Sequence, residues 1–188
     1  METKITIKDN EIKSLFNGMS AADKKRALED SGTLIIASTH AGFLSETGPD
    51  NQKWEENTGW YFEAKGQAAI LTGPTSKTIR GGEYAGRYEF KSINNKRMRN
   101  SLLTRISGNA AYVEYEKDVE ERAELTQYGG ESKMILISTT GKKDLEIDMT
   151  VPARPHLGVA ENYARFGGKT DPQHIEEIFS KLVDKVIK

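Results

Sequence analysis

Residues 150–158 read TVPARPHLG, which places two prolines and a glycine between a strand-like run and the last helical pattern of the chain. Pro152 and Pro155 fix their own φ angles and hold the residues before them in extended backbone. A proline cannot donate a hydrogen bond to a sheet, so the preceding strand has to end here. Gly158 permits a sharp turn. We call residues 151–158 the proline corner and expect it to set the direction in which the final helix leaves the sheet.

Regular patterns flank the proline corner on both sides. Before it, KMILIS and DLEIDMTV predict a hairpin whose turn covers residues 139–144. After it, apolar residues recur at helical spacing from Ile175 to Val186 and predict an amphipathic helix. Asp171 suits the cap of this helix, and Pro172 suits its first position.

Further elements are predicted upstream. Ser20, with Asp23 three positions later, predicts the start of one long helix from about residue 21 to about residue 44. LLTRIS and AAYVEY flank Gly108-Asn109 and predict another hairpin. The other predicted elements are a helix ended by Gly129-Gly130, strands at 3–8 and 87–93, and helical turns at 12–16 and 95–102.

Together these patterns predict an α+β fold in a single domain spanning residues 1–188. We expect a small antiparallel sheet packed against a long N-terminal helix and a C-terminal amphipathic helix.

A long polar loop, residues 46–84, interrupts these elements. Its glycine and polar content leaves little apolar area to offset the entropy of ordering, so we expect it to be mobile in the isolated chain and ordered in an assembly. Its aromatic side chains either pin the loop to its own core, which we favour, or contact a neighbour. They are Trp54, Trp60, Tyr61 and Phe62.

Composition narrows the functional classes. The 188 residues carry a net charge of −1 and no cysteine. A net charge close to zero argues against a positive potential over the whole surface that would attract nucleic acid. The lack of cysteine excludes disulfides, thiolate metal sites and a cysteine nucleophile. The N-terminal residues lack the apolar region of a signal peptide, and no apolar run is long enough to cross a bilayer. We therefore expect a soluble protein with no membrane partner.

Catalytic motifs are missing from the sequence. His40, His156 and His174 are far apart and do not form a metal-binding spacing. The sequence has no nucleophile elbow, phosphate loop or dinucleotide fingerprint. Only the glycine-rich middle of the chain favours an enzyme. We predict that the protein is not an enzyme and has no catalytic residues, metal or cofactor.

Two groups of basic residues leave alternatives open. Lys96, Arg97 and Arg99, within the basic stretch 91–105, could contact phosphates, although we favour an exposed turn followed by a strand. Arg154 offers a planar fork suited to a carboxylate. It could form an internal salt bridge that holds the proline corner, or it could contact another subunit.

Four segments, in order, resemble the tail-completion or virion-morphogenesis proteins of tailed phages, the family that includes neck proteins of Mu-like phages. They are GPDNQKW (48–54), KRMRNSLLTRISGN (96–109), AELTQYGG (123–130) and VPARPHLG (151–158). The last is the most specific and corresponds to IPARPFLG in that family. Thr126 stands where the family has histidine, and His156 stands where it has phenylalanine. The stretch between Trp54 and Lys96 has no counterpart.

The resemblance implies a structural protein at the head–tail junction of the virion: a tail-completion, tail-terminator or neck protein. It implies a homo-oligomeric ring, for which a hexamer is the best guess, with head–tail connector and tail tube proteins as neighbours. DNA would pass through this ring without specific binding. The protein would reside in the virion, and in the host cytoplasm during assembly. As subunit or partner contacts we predict Trp54, Trp60, Arg97, Arg99, Arg154 and His156. The alternative is an assembly chaperone or scaffold-type binding protein that is absent from the mature virion.

Overall fold

The computed structural model describes residues 2–5, 18–56, 61, 63–64, 76–91 and 98–186. Within these residues lie three α-helices and six strands. The helices are α1 (Ala21–Ser45), α2 (Lys117–Tyr128) and α3 (Asp171–Val186), and the strands are β1 (Glu2–Ile5), β2 (Tyr88–Phe90), β3 (Leu102–Ser107), β4 (Ala110–Tyr115), β5 (Gly130–Ser138) and β6 (Leu145–Val151). A 3₁₀ turn covers Met98–Asn100. The predicted α+β class, with its long N-terminal and C-terminal helices, is confirmed.

The strands form two three-stranded antiparallel sheets instead of the single small sheet that was predicted. The first has the order β1-β4-β3 and the second has the order β2-β5-β6. Both predicted hairpins are present, as β3–β4 and β5–β6. The third strand differs between the hairpins: β1 pairs with β4 in the first, and β2 pairs with β5 in the second. Alternation of apolar residues locates a strand but does not specify its partner, so the division into two sheets was not predicted.

The main core lies between the first sheet and the helices α1 and α3. Strand β4 is paired on both edges, and its Ala111 and Val113 are fully buried. Leu157 of the proline corner joins this core, so the corner is packed into the centre of the molecule. The core's buried side chains are those of Met19, Ala27, Leu28, Ile35, Met98, Ala111, Val113, Tyr115, Val119, Ala123, Leu157, Phe179 and Leu182.

Helix α1 carries small residues on its inner face, and these allow close contacts. Ser20 caps the helix as predicted, because its Oγ accepts a hydrogen bond from the Asp23 amide at 3.1 Å. A Cβ added at Gly32 would lie 2.3 Å from the Thr104 side chain on β3. A Cβ at Gly42 would lie 1.6 Å from Arg165 Nη2. Glycine at these positions therefore lets a strand and a buried guanidinium approach the helix backbone.

A smaller core supports the second sheet. It is formed by Ala64, Ile79, Phe90 and Leu136, all buried. Tyr61 stacks edge-on against Phe90, with ring centroids 6.5 Å apart. Strand β6 ends at Val151, opposite Gly130, so the prediction that the prolines terminate this strand is confirmed.

The start of helix α3 corrects one prediction. The cap is Thr170 rather than Asp171, because Thr170 and Gln173 exchange bonds: the Thr170 amide donates to Gln173 Oε1 at 3.0 Å and the Gln173 amide donates to Thr170 Oγ1 at 3.4 Å. Asp171 is the first helical residue and is fully buried. Its carboxylate accepts hydrogen bonds from Ser38 Oγ at 3.0 Å and from the Ala160 amide at 2.8 Å, which explains why it turns inward.

Other predicted elements agree in position with small shifts. The strand predicted at 3–8 is Glu2–Ile5, and the strand predicted at 87–93 is Tyr88–Phe90. The helical turn predicted at 95–102 is the 3₁₀ turn, and the turn predicted at 12–16 lies outside the described residues.

Candidate functional site

The segment after helix α1 packs directly onto the proline corner. Trp54 Nε1 donates a hydrogen bond to the Pro155 carbonyl oxygen at 2.8 Å. Pro49 lies against Gly158, where an added Cβ would come within 2.8 Å of Pro49 Cγ. The contact with Pro49 therefore favours glycine at position 158, whereas the turn does not need it, because the φ of Gly158 is not in the left-handed region. This brings together the first and fourth of the four resembling segments.

Gln127, at the end of helix α2, binds the corner backbone with its side-chain amide. Its Oε1 accepts from the amides of His156 at 2.9 Å and Leu157 at 3.1 Å, and its Nε2 donates to the Leu157 carbonyl at 3.2 Å. The amide thus takes the place of a neighbouring strand, which the corner lacks after β6 ends. A side-chain amide suits this pattern because its oxygen can accept twice while its nitrogen, a separate atom, donates. No pattern in the sequence singles out Gln127, and its one signal is that it lies in the third resembling segment.

Helix α2 also contacts the corner through its backbone. The Arg154 amide donates to the Thr126 carbonyl at 2.8 Å. Gly129 has a φ of 73° and sits where a Cβ would lie 2.8 Å from the Ala153 nitrogen, so glycine is required for both reasons. Thr126 Oγ1 also lies 4.0 Å from the sulfur of buried Met98, in the second segment. The first and third segments therefore contact the proline corner directly, and the second segment contacts the third at Thr126.

Arg154 is buried and points into its own chain. Its Nε donates to the Glu55 carbonyl at 2.8 Å and its Nη2 donates to the Glu56 carbonyl at 3.1 Å. Burial lowers the pKa of the guanidinium, and the negative charge of Glu55 opposes this shift. Arg154 therefore has an internal role, one of the two predicted alternatives, but it binds carbonyl oxygens where a carboxylate was expected.

His156 is fully buried among three aromatic rings. The ring centroids of Phe43 and Tyr115 each lie 5.5 Å from that of His156, and the centroid of Trp54 lies 6.4 Å away. Its Nδ1 is 2.8 Å from the Arg154 carbonyl oxygen, which can only accept, so Nδ1 carries the proton. Burial lowers the pKa of His156 to about 4, and the ring is neutral at pH 7. A neutral ring in an aromatic environment explains how histidine fits where the resembled family has phenylalanine.

Two buried charges lie behind the corner: Arg165, which the sequence patterns did not single out, and Asp171, which they indicated only as a helix cap. Arg165 is 8% exposed, and its Nη2 donates to the carbonyls of Thr47 at 3.0 Å and His156 at 3.3 Å. Burial lowers the pKa of Arg165, while the negative charge of Asp171 favours its charged form. The sequence offers no signal for the burial of either residue, because isolated charges in a polar stretch are usually exposed.

Of the six predicted contact residues, three lie in the interior of the chain. Trp54, Arg154 and His156 are 6%, 4% and 0% exposed. The favoured interpretation that loop aromatics pin the loop to its own core is confirmed for Trp54. In the described conformation these side chains contact their own chain, and a neighbouring subunit would reach them only if the corner opened. Their predicted contact with a partner stays a prediction.

The remaining predicted contacts are on the basic stretch and in the long loop. Arg99 lies in the 3₁₀ turn and is half-buried, and its carbonyl oxygen contacts Nε2 of His40. Arg97 and Trp60 lie outside the described residues. Within the predicted loop, residues 46–56 fold back on themselves through the bridge between Thr47 and Lys53. The mobility of the loop stays a prediction.

We expect Gln127→Ala to destabilise the fold by about 2 kcal/mol, because the amides of buried His156 and Leu157 and the Leu157 carbonyl lose their partner. Gln127→Glu keeps the acceptor but puts a charged oxygen where Nε2 donates to the Leu157 carbonyl, so it should also destabilise the fold, by about 1–3 kcal/mol. Urea unfolding measures both, with exposed Gln52→Ala as the matched control. Equal stability of Gln127→Ala and Gln52→Ala would show that this amide does not hold the corner.

The described residues contain neither a metal site nor a membrane-spanning helix, and comparison with known proteins assigns no family. In the parts of the chain that the structure describes, no three His, Asp or Glu side chains come together to hold a metal ion. In those same parts, no helix has the length and apolar character needed to cross a membrane. No family model, curated protein or solved structure matches the chain.

Proposed function

We propose that this chain is a structural virion protein at the head–tail junction of a tailed phage, where copies of it form a ring around the DNA channel. The observation that carries the proposal is that four segments resembling one family, although far apart in sequence, are linked by contacts: the first and third contact the proline corner, and the second contacts the third. Their contacts are direct: Trp54 and Gln127 bind the corner backbone, and Arg154 binds the backbone of α2 and of Glu55. When segments contact one another, the residue types in each segment limit which residue types fit in the others. Their joint resemblance is therefore stronger support than any one motif.

The surface next to the corner also supports an assembly role. Leu44, Tyr128 and Phe166 are 75%, 70% and 41% exposed. Each follows in sequence a residue that packs at the corner or directly behind it: Phe43, Gln127 and Arg165. Single exposed apolar residues are common on monomers, so these three support an assembly role only together with the resemblance.

The mass of the purified chain in solution, measured by light scattering, tests ring formation. We expect a closed oligomer, best a hexamer, built from a head-to-tail contact. Imaging of particles should then place a ring containing the chain at the head–tail junction. A chain that stays monomeric at high concentration, in particles that lack such a ring, contradicts the proposal. A chain that binds assembly intermediates but is missing from finished virions would favour the assembly chaperone.

We expect the double reversal Arg97→Glu and Arg99→Glu to block ring assembly. A lumen that passes DNA should not hold the duplex tightly, so these arginines are proposed to face Glu120, Glu121 and Glu124 of a neighbouring copy. Reversal would then create a like-charge contact. Thermal unfolding of the isolated chain should change little, since surface charges contribute little to stability.

Lys142→Glu with Lys143→Glu is the matched control, because it makes the same charge change on an exposed turn between β5 and β6. Both double variants should fold, and only the arginine reversal should remain monomeric. Normal particles that fail in DNA delivery would show instead that Arg97 and Arg99 face the channel.

A further inference from the structure

Five residues behind the proline corner bring six unpartnered polar atoms into the interior. The atoms are Thr39 Oγ1, Tyr115 Oη, His156 Nε2, Arg165 Nε, Arg165 Nη1 and Asp171 Oδ1, and none has a hydrogen-bond partner among the residues that the structure describes. All five residues are 8% exposed or less. Buried polar atoms are almost always bonded, either to protein or to ordered water. So many unpartnered atoms in one region therefore need an explanation.

The two charges of this group lie along one face of helix α1. Arg165 Nη2 occupies the space beside Gly42, and Asp171 Oδ2 lies 3.0 Å from Ser38 Oγ. Ser38 and Gly42 are four residues apart, so they share a face and are separated by roughly one helical turn, about 5 Å. No ion pair joins Arg165 to Asp171. The guanidinium and the carboxylate are thus near each other without direct contact.

Tyr115 and His156 form another wall of the same region. Their ring centroids are 5.5 Å apart, and the His156 carbonyl lies 3.3 Å from Arg165 Nη2. Because Nδ1 of His156 carries the proton, its Nε2 is an acceptor. The Tyr115 hydroxyl can donate and accept.

The unpartnered atoms are a balanced set of donors and acceptors. Arg165 offers N–H donors, while His156 Nε2 and Asp171 Oδ1 offer only lone pairs. The hydroxyls of Thr39 and Tyr115 serve in either role. An anion would be repelled by the carboxylate, and a metal cation would be repelled by the guanidinium. Water both donates and accepts, and buried waters commonly make about three hydrogen bonds each.

We propose that ordered water molecules bind between helix α1, Tyr115, Arg165 and Asp171, and that they bridge the Arg165 guanidinium to the Asp171 carboxylate and to His156 Nε2. The buried charges then form a water-separated pair that ties α1, α3 and the proline corner together. This inference is independent of the proposed function, since it concerns the interior of a single copy.

A crystal structure of the full chain, at a resolution that shows ordered water, tests the proposal directly. We expect at least one water within hydrogen-bonding distance of both Arg165 and Asp171 Oδ1. A direct ion pair between the two side chains, with no water between them, overturns the proposal. Electron density between Arg165 and Asp171 that is too large for a water molecule also overturns the proposal, because the site would then hold another ligand.

The variant Tyr115→Phe supplies a second measurement. If the buried hydroxyl binds water, its removal should raise the equilibrium constant for unfolding about fivefold, which is the usual effect of one lost hydrogen bond. Tyr128→Phe removes a hydroxyl from a side chain that is 70% exposed and should leave that constant unchanged. An unchanged or more stable Tyr115→Phe variant shows that the hydroxyl has no partner in the fold, and the proposal fails.

Discussion

Asp171→Ala is expected to destabilise the folded chain by about 3–5 kcal/mol, the usual cost of removing one member of a buried charged network. The carboxylate accepts from Ser38 Oγ and from the Ala160 amide, and both donors would lose their acceptor in the interior. The substitution also removes one of the groups that favour the buried positive charge of Arg165. Urea unfolding followed by circular dichroism measures the loss.

Two variants control for other effects of the change. Asp171→Asn keeps an oxygen that can accept from Ser38 and Ala160 but removes the charge, so it should lose less stability than Asp171→Ala. Asp184→Ala alters an exposed aspartate of the same helix and should change stability by less than about 0.5 kcal/mol. If Asp171→Ala were as stable as Asp184→Ala, the buried carboxylate would contribute nothing to the fold.

The secondary structure was largely predictable because its signals are local. The cap at Ser20 and the helical spacing after it gave the bounds of α1 within one residue. The Gly108-Asn109 turn identified the β3–β4 hairpin, and the prolines after Val151 gave the end of β6. In each case the deciding residues are neighbours in sequence, where propensity and turn geometry act directly.

The arrangement of the elements was not predictable to the same degree. Strands β1 and β2 are short and join different hairpins, and nothing in their alternation specifies which. Asp171 looked like a helix cap because aspartate before proline usually is one, yet its carboxylate is held by Ser38, which is 133 residues away in sequence. Contacts of this kind depend on the completed fold, which a local pattern does not contain.

In the candidate site, too, local features were predictable from sequence and long-range contacts were not. The rigidity of the proline corner was predicted from Pro152, Pro155 and Gly158 alone. The three hydrogen bonds of Gln127 were not, because a glutamine near the end of a helix is usually exposed. Arg154 and His156 were predicted as subunit or partner contacts, because sequence alone could not tell whether they face a neighbour or the interior. The resemblance identified the segment, and the structure shows what its side chains contact.

His156 should make the fold sensitive to acid. An unfolded chain binds a proton at this histidine below about pH 6.5, whereas the folded chain, in which burial lowers the pKa of His156 to about 4, does not. The unfolded state therefore binds more protons between these values, and stability falls as pH falls from about 6.5 to about 4. The loss approaches about 3 kcal/mol at the lower end, because each unit of pKa difference corresponds to about 1.4 kcal/mol.

His156→Phe should remove this dependence and make the stability curves of variant and unaltered chain cross. At pH 7 the variant loses the hydrogen bond from Nδ1 to the Arg154 carbonyl, at a cost of about 1 kcal/mol. Near pH 4 it should be more stable than the unaltered chain by about 2 kcal/mol, because phenylalanine has no proton to bind and suits the rings of Phe43, Trp54 and Tyr115.

Urea unfolding at a series of pH values between 7 and 4 gives both curves. Carboxylates that titrate near pH 4 affect the two proteins alike, so the difference between the curves isolates His156. His174→Phe leaves the buried histidine in place, and its stability should therefore decline with acid as that of the unaltered chain does. Parallel curves for His156→Phe and the unaltered chain would mean that His156 is protonated as readily in the folded state as in the unfolded one. Its ring would then have to reach solvent, which would place the proline corner at the surface of the molecule.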